Sequence, residues 1–376
     1  MTGISNLGQA IDQIARLKSQ QITLDTFSTQ IATGKKTQQF SGLGTDILRS
    51  QRARADINKL EQYTTNIKNA SRRIQLMTSA VEQISGQANN ISAALTTLKQ
   101  GGELPEFTTT QQLASDVYDY IIDLMNQKDG ERYLFAGSDS SVKPIDDLGL
   151  FDSYLGEFVP DQTDITNPPL VASGFIGQWG DGTITTDEFI TAYNGVNENV
   201  LGYSQSLISG STGDVRVRVD ENSDFDYTLL ANTPGMKELV IALGVLKNLP
   251  PPEYAPGALN DPTATRPVDD VPPYPSTEKQ QNFYAVFNDL AATIATAVDK
   301  LEKEEYRLSL VEAQTLSIKE QYTYQIDAFK STVADAEDVD LTETVAKIQQ
   351  LQIGLEASFS VTALISNLTL VNFLGR

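Results

Sequence analysis

The chain has 376 residues, of which 40% are apolar and 20% charged, and its formal net charge is −21. It contains no cysteine and no histidine, which excludes disulfides, thiolate metal ligands and histidine-based catalysis. The negative charge disfavours nucleic acid as a partner, because phosphate backbones repel it.

Proline divides the chain into three zones. Fourteen of the 15 prolines lie between residues 140 and 280, which also carry 21 acidic and 7 basic residues. Since proline interrupts helices, the flanks can form long helices and the middle cannot. We predict three domains: 1–45 with 340–376 as a terminal helical assembly domain, 46–139 with 281–339 as a core of long helices, and 140–280 as an acidic, Pro- and Gly-rich outer domain containing β-structure.

The N-terminal flank has the apolar periodicity of helices. Residues spaced three and four apart predict a first helix that ends at a glycine-rich break beginning at Gly34. The clearest helix signal covers 57–98, and within it the apolar residues from Ala70 to Leu98 alternate strictly by four and three, which is the pattern of a coiled-coil seam. The seam residues that we assign to core and assembly contacts are Ile74, Met77, Val81, Ile84 and Ile91. A shorter helix is predicted over 113–124.

The C-terminal flank repeats the seam pattern over 283–329, and the helix over 57–98 is its predicted partner. The seam residues assigned here are Leu308, Val311 and Ile318. A second helix over 341–373 follows an acidic break at 335–340, and its assigned assembly residues are Leu355, Phe359 and Leu368. The predicted fold class is mainly α, with paired N- and C-terminal long helices in a coiled-coil-like bundle and an inserted β-rich or irregular middle domain.

The middle zone carries strand and turn signals. Val215, Val217 and Val219 alternate with arginines, which predicts a strand. A return strand is predicted over 227–230, after a turn at 222–224. Residues 250–275 are rich in proline and are predicted to form an extended loop.

Residues 181–189 resemble the second half of an EF-hand calcium loop. Gly182 and Glu188 occupy the sixth and twelfth places, but Gly177 and Trp179 then fall where carboxylate ligands belong. We therefore favour a glycine-containing turn between strands over a calcium site.

Two other acidic runs have plain interpretations. Residues 220–226 are predicted to form a solvated turn, and 335–340 a helix break whose last acids favour the next helix N-terminus. A Ser or Thr nucleophile would need a lysine base, an alternative that the sequence leaves open. We predict no catalytic residue, metal ligand or cofactor, and no enzymatic activity.

The chain ends indicate neither a signal peptide nor a membrane anchor. Met1 is followed by a mixture of polar and apolar residues, so no cleaved secretory signal is expected. Residues 357–375 are uncharged, but their Ser, Thr and Asn side chains are costly in lipid. We interpret this run as a helix that partner chains cover, and we expect terminal helices of this kind to be marginal until neighbours cover them.

Several stretches resemble the flagellin superfamily of bacterial flagella. Residues 27–36 resemble its N-terminal helix exit, and 60–67, with Tyr63 and Asn66, resemble a signature of its long helix. Residues 338–344, with Asp338 and Asp340, resemble the C-terminal arm of this superfamily, and so do residues 349–358. Residues 132–138 resemble the Tyr-Leu-Phe-x-Gly motif of junction proteins, which filament flagellins generally lack. The matching motif residues are Tyr133, Leu134, Phe135 and Gly137.

The resemblance is closest to the hook-associated protein 3 family, the hook–filament junction proteins, and departs from the family pattern at 41–46. It implies a structural subunit that joins hook to filament, is exported through the flagellar channel and resides in the extracellular flagellum. The implied partners are copies of itself in a ring or helical assembly, a neighbouring hook-associated protein, flagellin, and an export chaperone at the C-terminal arm; nucleic acid and membrane insertion are not expected. The alternatives are a filament flagellin and, more distantly, a secreted coiled-coil adhesin or enzyme with an active middle domain.

Overall fold

In a computed structural model of the chain, the two flanks with apolar periodicity form long helices. The predicted mainly α class is therefore confirmed. The structure describes residues 2–101, 107–147, 149–156, 174–180, 182–251 and 277–374, and it describes side chains at these positions except at 2–10, 99–101, 277–278 and 365–374. In chain order the elements are α1 (Thr2–Thr33), a 3-10 segment (Phe40–Asp46), α2 (Ile47–Gly101), α3 (Phe107–Met125), β1 (Lys128–Asp129), β2 (Arg132–Tyr133), α4 (Gly149–Leu155), α5 (Phe175–Gly180), α6 (Thr186–Asn194), α7 (Gln205–Ile208), β3 (Arg216–Arg218), β4 (Asp224–Asp226), α8 (Pro234–Asn248), α9 (Thr277–Glu337) and α10 (Leu341–Leu374).

The chain divides into two compact units. Unit 1 consists of Met1–Gln62 with Glu320–Arg376, and unit 2 of Tyr63–Lys319. This division by contacts does not test the three predicted domains, whose boundaries follow composition, so these stay a prediction.

In unit 1, the segment that follows α1 lies beside the segment that connects α9 to α10. α1 ends at Thr33 because Gly34 has φ +69°, a left-handed conformation that glycine adopts without strain. The backbone N–H of Lys36 then donates to the carbonyl of Glu337 at 2.7 Å, and that of Val339 donates to the carbonyl of Gly34 at 3.0 Å. The link after α1 is therefore held against the link between α9 and α10, and α1 also contacts α10.

The predicted acidic break is shorter than the sequence pattern indicates. α9 continues through residue 337, so only 338–340 separate it from α10. The carboxylate of Asp340 accepts hydrogen bonds from the backbone N–H groups of Thr342 and Glu343 at 2.9 and 3.1 Å. Asp340 thus satisfies free N–H groups at the start of α10, as predicted for the last acids of this run.

The core of unit 2 is built on the seam residues of α2. Ile74, Met77, Val81, Ile84 and Ile91 are at most 1% exposed. On α9, Leu308 is fully buried, whereas Val311 and Ile318 are half-buried. The two helices are in contact in this unit, because Glu312 accepts hydrogen bonds from Ser71 and Gln75 at 3.0 and 2.6 Å.

The predicted β-hairpin of the middle zone is present, but its return strand starts earlier than expected. β4 covers Asp224–Asp226 rather than 227–230, and Val217 pairs with Phe225. The turn is tighter than predicted because the N–H groups of Val219 and Asp220 both donate to the carbonyl of Ser223. This tighter turn brings part of the acidic run 220–226, expected to be a solvated turn, into the strand.

The β-rich character predicted for the middle zone is not confirmed. Among the described residues between 140 and 280, β3 and β4 are the only strands, and the other regular elements are helices. The longest of these is α8, which is packed against α3 and has Pro234 in its first turn. Proline is tolerated there because the missing N–H would have no helical partner, so it starts this helix instead of breaking it.

Two sequence-based features lie wholly or partly outside the described residues. Most of the predicted extended loop falls in 252–276, and Asp181 of the calcium-like stretch is also outside. No helix in the described ranges is long and apolar enough to span a membrane.

Candidate assembly surface

Unit 1 leaves many of its large apolar side chains exposed, whereas unit 2 buries most of its own. Among residues with described side chains, unit 1 has 12 exposed large apolar residues and six buried apolar ones, whereas unit 2 has six exposed and 54 buried. A large exposed apolar surface on a folded chain is typical of an interaction site. Unit 1 therefore has the exposed apolar residues of an interaction surface and few of the buried ones that form an independent core.

The exposed residues lie on both terminal helices. On α1, Ile11, Ile14 and Ile22 are 58–63% exposed. On α10 the exposed apolar residues include Ile353, Phe359, Val361 and Leu364. We call these seven residues the terminal apolar surface; they remain exposed even though α1 and α10 contact each other.

The three assembly residues predicted on α10 differ in their surroundings. Leu355 is buried and Phe359 is 51% exposed, although residues four apart lie on the same face of an α-helix. The packing that covers this face of α10 therefore reaches Leu355 but not Phe359. Leu368 lies within α10 but outside the residues whose side chains are described.

A buried carboxylate joins three segments of unit 1. Glu337, the last residue of α9, is 7% exposed. It accepts hydrogen bonds from Arg54 Nε and Nη2 at 2.9 and 2.6 Å, and also from Ser50 Oγ and Lys35 Nζ. The Arg54 contact is bidentate, the strongest arrangement between a guanidinium and a carboxylate. These four residues, the Glu337 clamp, tie α2 and the link after α1 to the end of α9.

The clamp is held in its ionised form. The hydrogen bonds of Arg54 lower the pKa of Glu337 from 4.5 to about 2; burial opposes this shift, and Ser50 and Lys35 reinforce it. Asp338 also pairs with Lys35 Nζ at 2.5 Å, and this hydrogen bond raises the pKa of the lysine. Because the lowered pKa of Glu337 lies well below 7, its contacts with Arg54 and Lys35 carry full charge at neutral pH.

The Tyr-Leu-Phe-x-Gly stretch at 133–137 is a packed corner of unit 2. Leu134 and Phe135 are at most 2% exposed, while Tyr133 is half-buried beneath Lys128 Nζ, which lies 4.5 Å from its ring centroid. The backbone N–H of Ala231 donates to the carbonyl of Phe135 at 3.0 Å. The direct physical role of the motif is therefore to join the segment after α3 to the segment before α8.

Gly137 is required by this corner. Its φ is +62°, and a Cβ at this position would collide with Thr212 and lie 2.8 Å from Leu230 Cδ2. Only glycine avoids both the strained backbone and the collision.

The other two motif residues lie on α2. Tyr63 is half-buried, and Asn66 is exposed at the rim of a cleft lined by arginines.

The calcium-like stretch is used for helix capping. Glu188 and Thr185 form a reciprocal capping box at the start of α6, with Thr185 N–H donating to Glu188 Oε2 at 2.8 Å. Trp179 is fully buried and donates from Nε1 to Thr186. The turn thus lies between two helices, not between strands as expected. The described residues contain no group of three acidic side chains placed to hold a metal ion.

The sequence patterns that predicted the helices did not single out the Glu337 clamp. Arg54 and Glu337 are 283 positions apart, and neither interrupts a periodic pattern. The available signal was the basic pair Lys35 and Lys36 beside the first helix break, matched by the acidic run at the last one.

Comparison with known proteins adds no relative: no protein-family model matches the chain, and no curated protein is significantly similar to it. The resemblance to flagellins rests on the short stretches quoted above.

Proposed function

We propose that this protein is a structural subunit of the bacterial flagellum that joins hook to filament and assembles through its terminal helices. The observation that carries the proposal is the terminal apolar surface on α1 and α10. Exposed apolar residues gathered on a folded chain are typical of an interaction site, because covering them removes apolar area from water. Copies of the same chain are the occupant that a ring or helical assembly supplies.

The proposal includes the architecture of the flanks. In it, α1 pairs with α10 and α2 with α9, forming a coiled-coil-like bundle that presents the terminal apolar surface to neighbours. The hydrogen bonds from Ser71 and Gln75 to Glu312, and from Arg54 to Glu337, support the second pairing. The contact of α1 with α10 supports the first.

The remaining partners follow from the same proposal. A junction subunit has a hook-associated protein on one side and flagellin on the other, and an export chaperone would cover the C-terminal arm before secretion. The uncovered Phe359 on α10 is consistent with such a contact. Export through the flagellar channel and residence in the extracellular flagellum belong to the proposal as well.

Gene deletion and immunogold labelling test the proposed role. Deletion should leave complete hooks without filaments, with flagellin lost to the medium, and gold label should mark one band at the hook–filament boundary. Label along the whole filament would make the protein a filament flagellin. Normal filaments in the deletion strain would refute both and favour the secreted adhesin or enzyme.

A surface variant tests whether the terminal helices carry assembly. Ile14→Asp places a charge in the terminal apolar surface, where Ile14 is 63% exposed in the single chain. We expect the monomer to keep its helicity while complementation of the deletion strain fails. Asp12→Asn is the matched control, because residue 12 is also exposed on α1 and the change removes a charge. Full complementation by the Ile14 variant would contradict assembly through this surface.

A further inference from the structure

Five arginines of this acidic chain converge on one cleft in unit 2. The cleft has a volume of about 500 Å³, within the usual range for small-ligand sites. Its arginines are Arg72, Arg73, Arg132, Arg216 and Arg218. They are five of the 12 arginines in a sequence with a net charge of −21, so this clustering runs against the overall composition.

Secondary structure brings these side chains together from three parts of unit 2. Arg72 and Arg73 are neighbours on α2, and Arg132 lies on β2. On β3, Arg216 and Arg218 flank the buried Val217, so the alternation of the strand places both on its exposed face.

Acidic residues neutralise only part of this charge. Arg72 pairs with Asp129 at 3.0 Å, and Arg216 with Asp214 at 2.9 Å and Asp224 at 3.7 Å. Arg73, Arg132 and Arg218 have no carboxylate within ion-pair distance in the described part of the chain. Arg218 donates instead to the carbonyls of Asp220 and Glu221.

The most buried arginine of the cleft is Arg73, which is 8% exposed. It donates to the carbonyls of Tyr133 and Leu134. Burial lowers the pKa of Arg73, Tyr227 and Asp129 act against this shift, and the positive charge of Arg132 acts with it. A buried charge without a direct ion pair is unfavourable, and a bound anion would offset this cost.

We propose that the arginine cleft binds a small multivalent oxyanion, a polyphosphate or polycarboxylate. Planar guanidinium groups suit this chemistry because each can donate two parallel hydrogen bonds to one phosphate or carboxylate. Asn66 and Asn69 also line the cleft and offer neutral amide donors, while Tyr227 offers a hydroxyl. Arg132 and Arg218 would be the main contacts, since both are exposed and lack an acidic partner.

Isothermal titration calorimetry of the full chain with pyrophosphate and with citrate tests the site. We expect one molecule to bind per chain, and Arg132→Gln and Arg218→Gln each to weaken binding by at least about tenfold. Arg132→Lys keeps the charge but not the bidentate geometry, so its loss should be smaller than that of Arg132→Gln. Arg52→Gln is the matched control, because Arg52 is exposed on α2 in unit 1 and lies outside the cleft; its binding should equal that of the wild type.

Two outcomes would overturn the proposal. One is the absence of binding heat with both anions in the wild-type chain, with circular dichroism showing that the chain is folded. The other is binding that Arg132→Gln and Arg218→Gln leave unchanged, or that sodium chloride at equal ionic strength reproduces in a thermal-shift assay. Binding of pyrophosphate alone would identify the ligand class as a polyphosphate, and binding of citrate alone as a polycarboxylate.

Discussion

Replacing Glu337 with glutamine should remove the ionised centre of the Glu337 clamp at almost constant volume. The variant keeps one acceptor oxygen but turns an amide NH₂ group towards donors that now hydrogen-bond a carboxylate. Arg54 loses its bidentate partner, and Lys35 loses one of its two carboxylates. The change therefore tests the clamp without opening a cavity.

The magnitude follows from the lowered pKa of Glu337. A shift from 4.5 to about 2 corresponds to at most about 3 kcal/mol of unfolding free energy. The side chains of Arg54 and Lys35 are 47% and 41% exposed, so solvent screening reduces this to about 1–2 kcal/mol. Because the folded-state pKa is depressed, the contribution is complete above about pH 4.5 and is lost as the pH falls towards about 2.

Urea unfolding at several pH values measures this effect. Far-UV circular dichroism follows both units, whereas Trp179, the single tryptophan, is buried in unit 2 and reports on that unit alone. We expect Glu337→Gln to lower the dichroism midpoint at pH 7, and we expect this difference to shrink below pH 4.5 and to approach zero near pH 2. Glu320→Gln, an exposed change on the same helix, should leave the midpoint unchanged. Equal stability of Glu337→Gln and wild type at pH 7, or a difference independent of pH, would refute the reasoning.

Three further predictions follow from burial and backbone geometry. Ile84→Asp should lower the unfolding free energy by several kcal/mol because it places a charge at a fully buried position. The control Asn89→Asp, at an exposed position of α2, should leave the unfolding free energy unchanged. Equal melting temperatures of the two variants would contradict the seam assignment. Gly137→Ala should lower the free energy of unfolding by about 1–3 kcal/mol. Gly86→Ala, where a Cβ meets nothing within 4 Å, should leave it unchanged or raise it by up to about 1 kcal/mol. Differential scanning calorimetry of both variants distinguishes these outcomes. In hydrogen-exchange measurements on the monomer, the amides of α1 and α10 should exchange faster than those of α2, because α1 and α10 have exposed apolar residues. Equal protection of the three helices would contradict assembly-dependent stabilisation.

The long helices could be predicted because their signals are local and repeat many times. A seam that alternates by four and three over 70–98 leaves little room for another secondary structure, and its members from Ala70 to Leu95 are buried in unit 2. The return strand and α8 could not be predicted in the same way. Their positions depend on a tight turn at Ser223 and on a proline that starts a helix instead of ending one.

The candidate site shows the same contrast between local and distant determinants. The exposed residues of α1 and α10 belong to apolar patterns that indicate helix, but the patterns alone do not say which members stay uncovered, as the buried Leu355 and exposed Phe359 show. The Glu337 clamp depends on contacts between residues 283 to 302 positions apart. Charged residues at helix ends are common, and only the fold selects which carboxylate meets which cation. A lowered pKa at one end of α9 is therefore a property of the assembled unit 1, and its loss on mutation would report on tertiary contacts rather than on helix propensity.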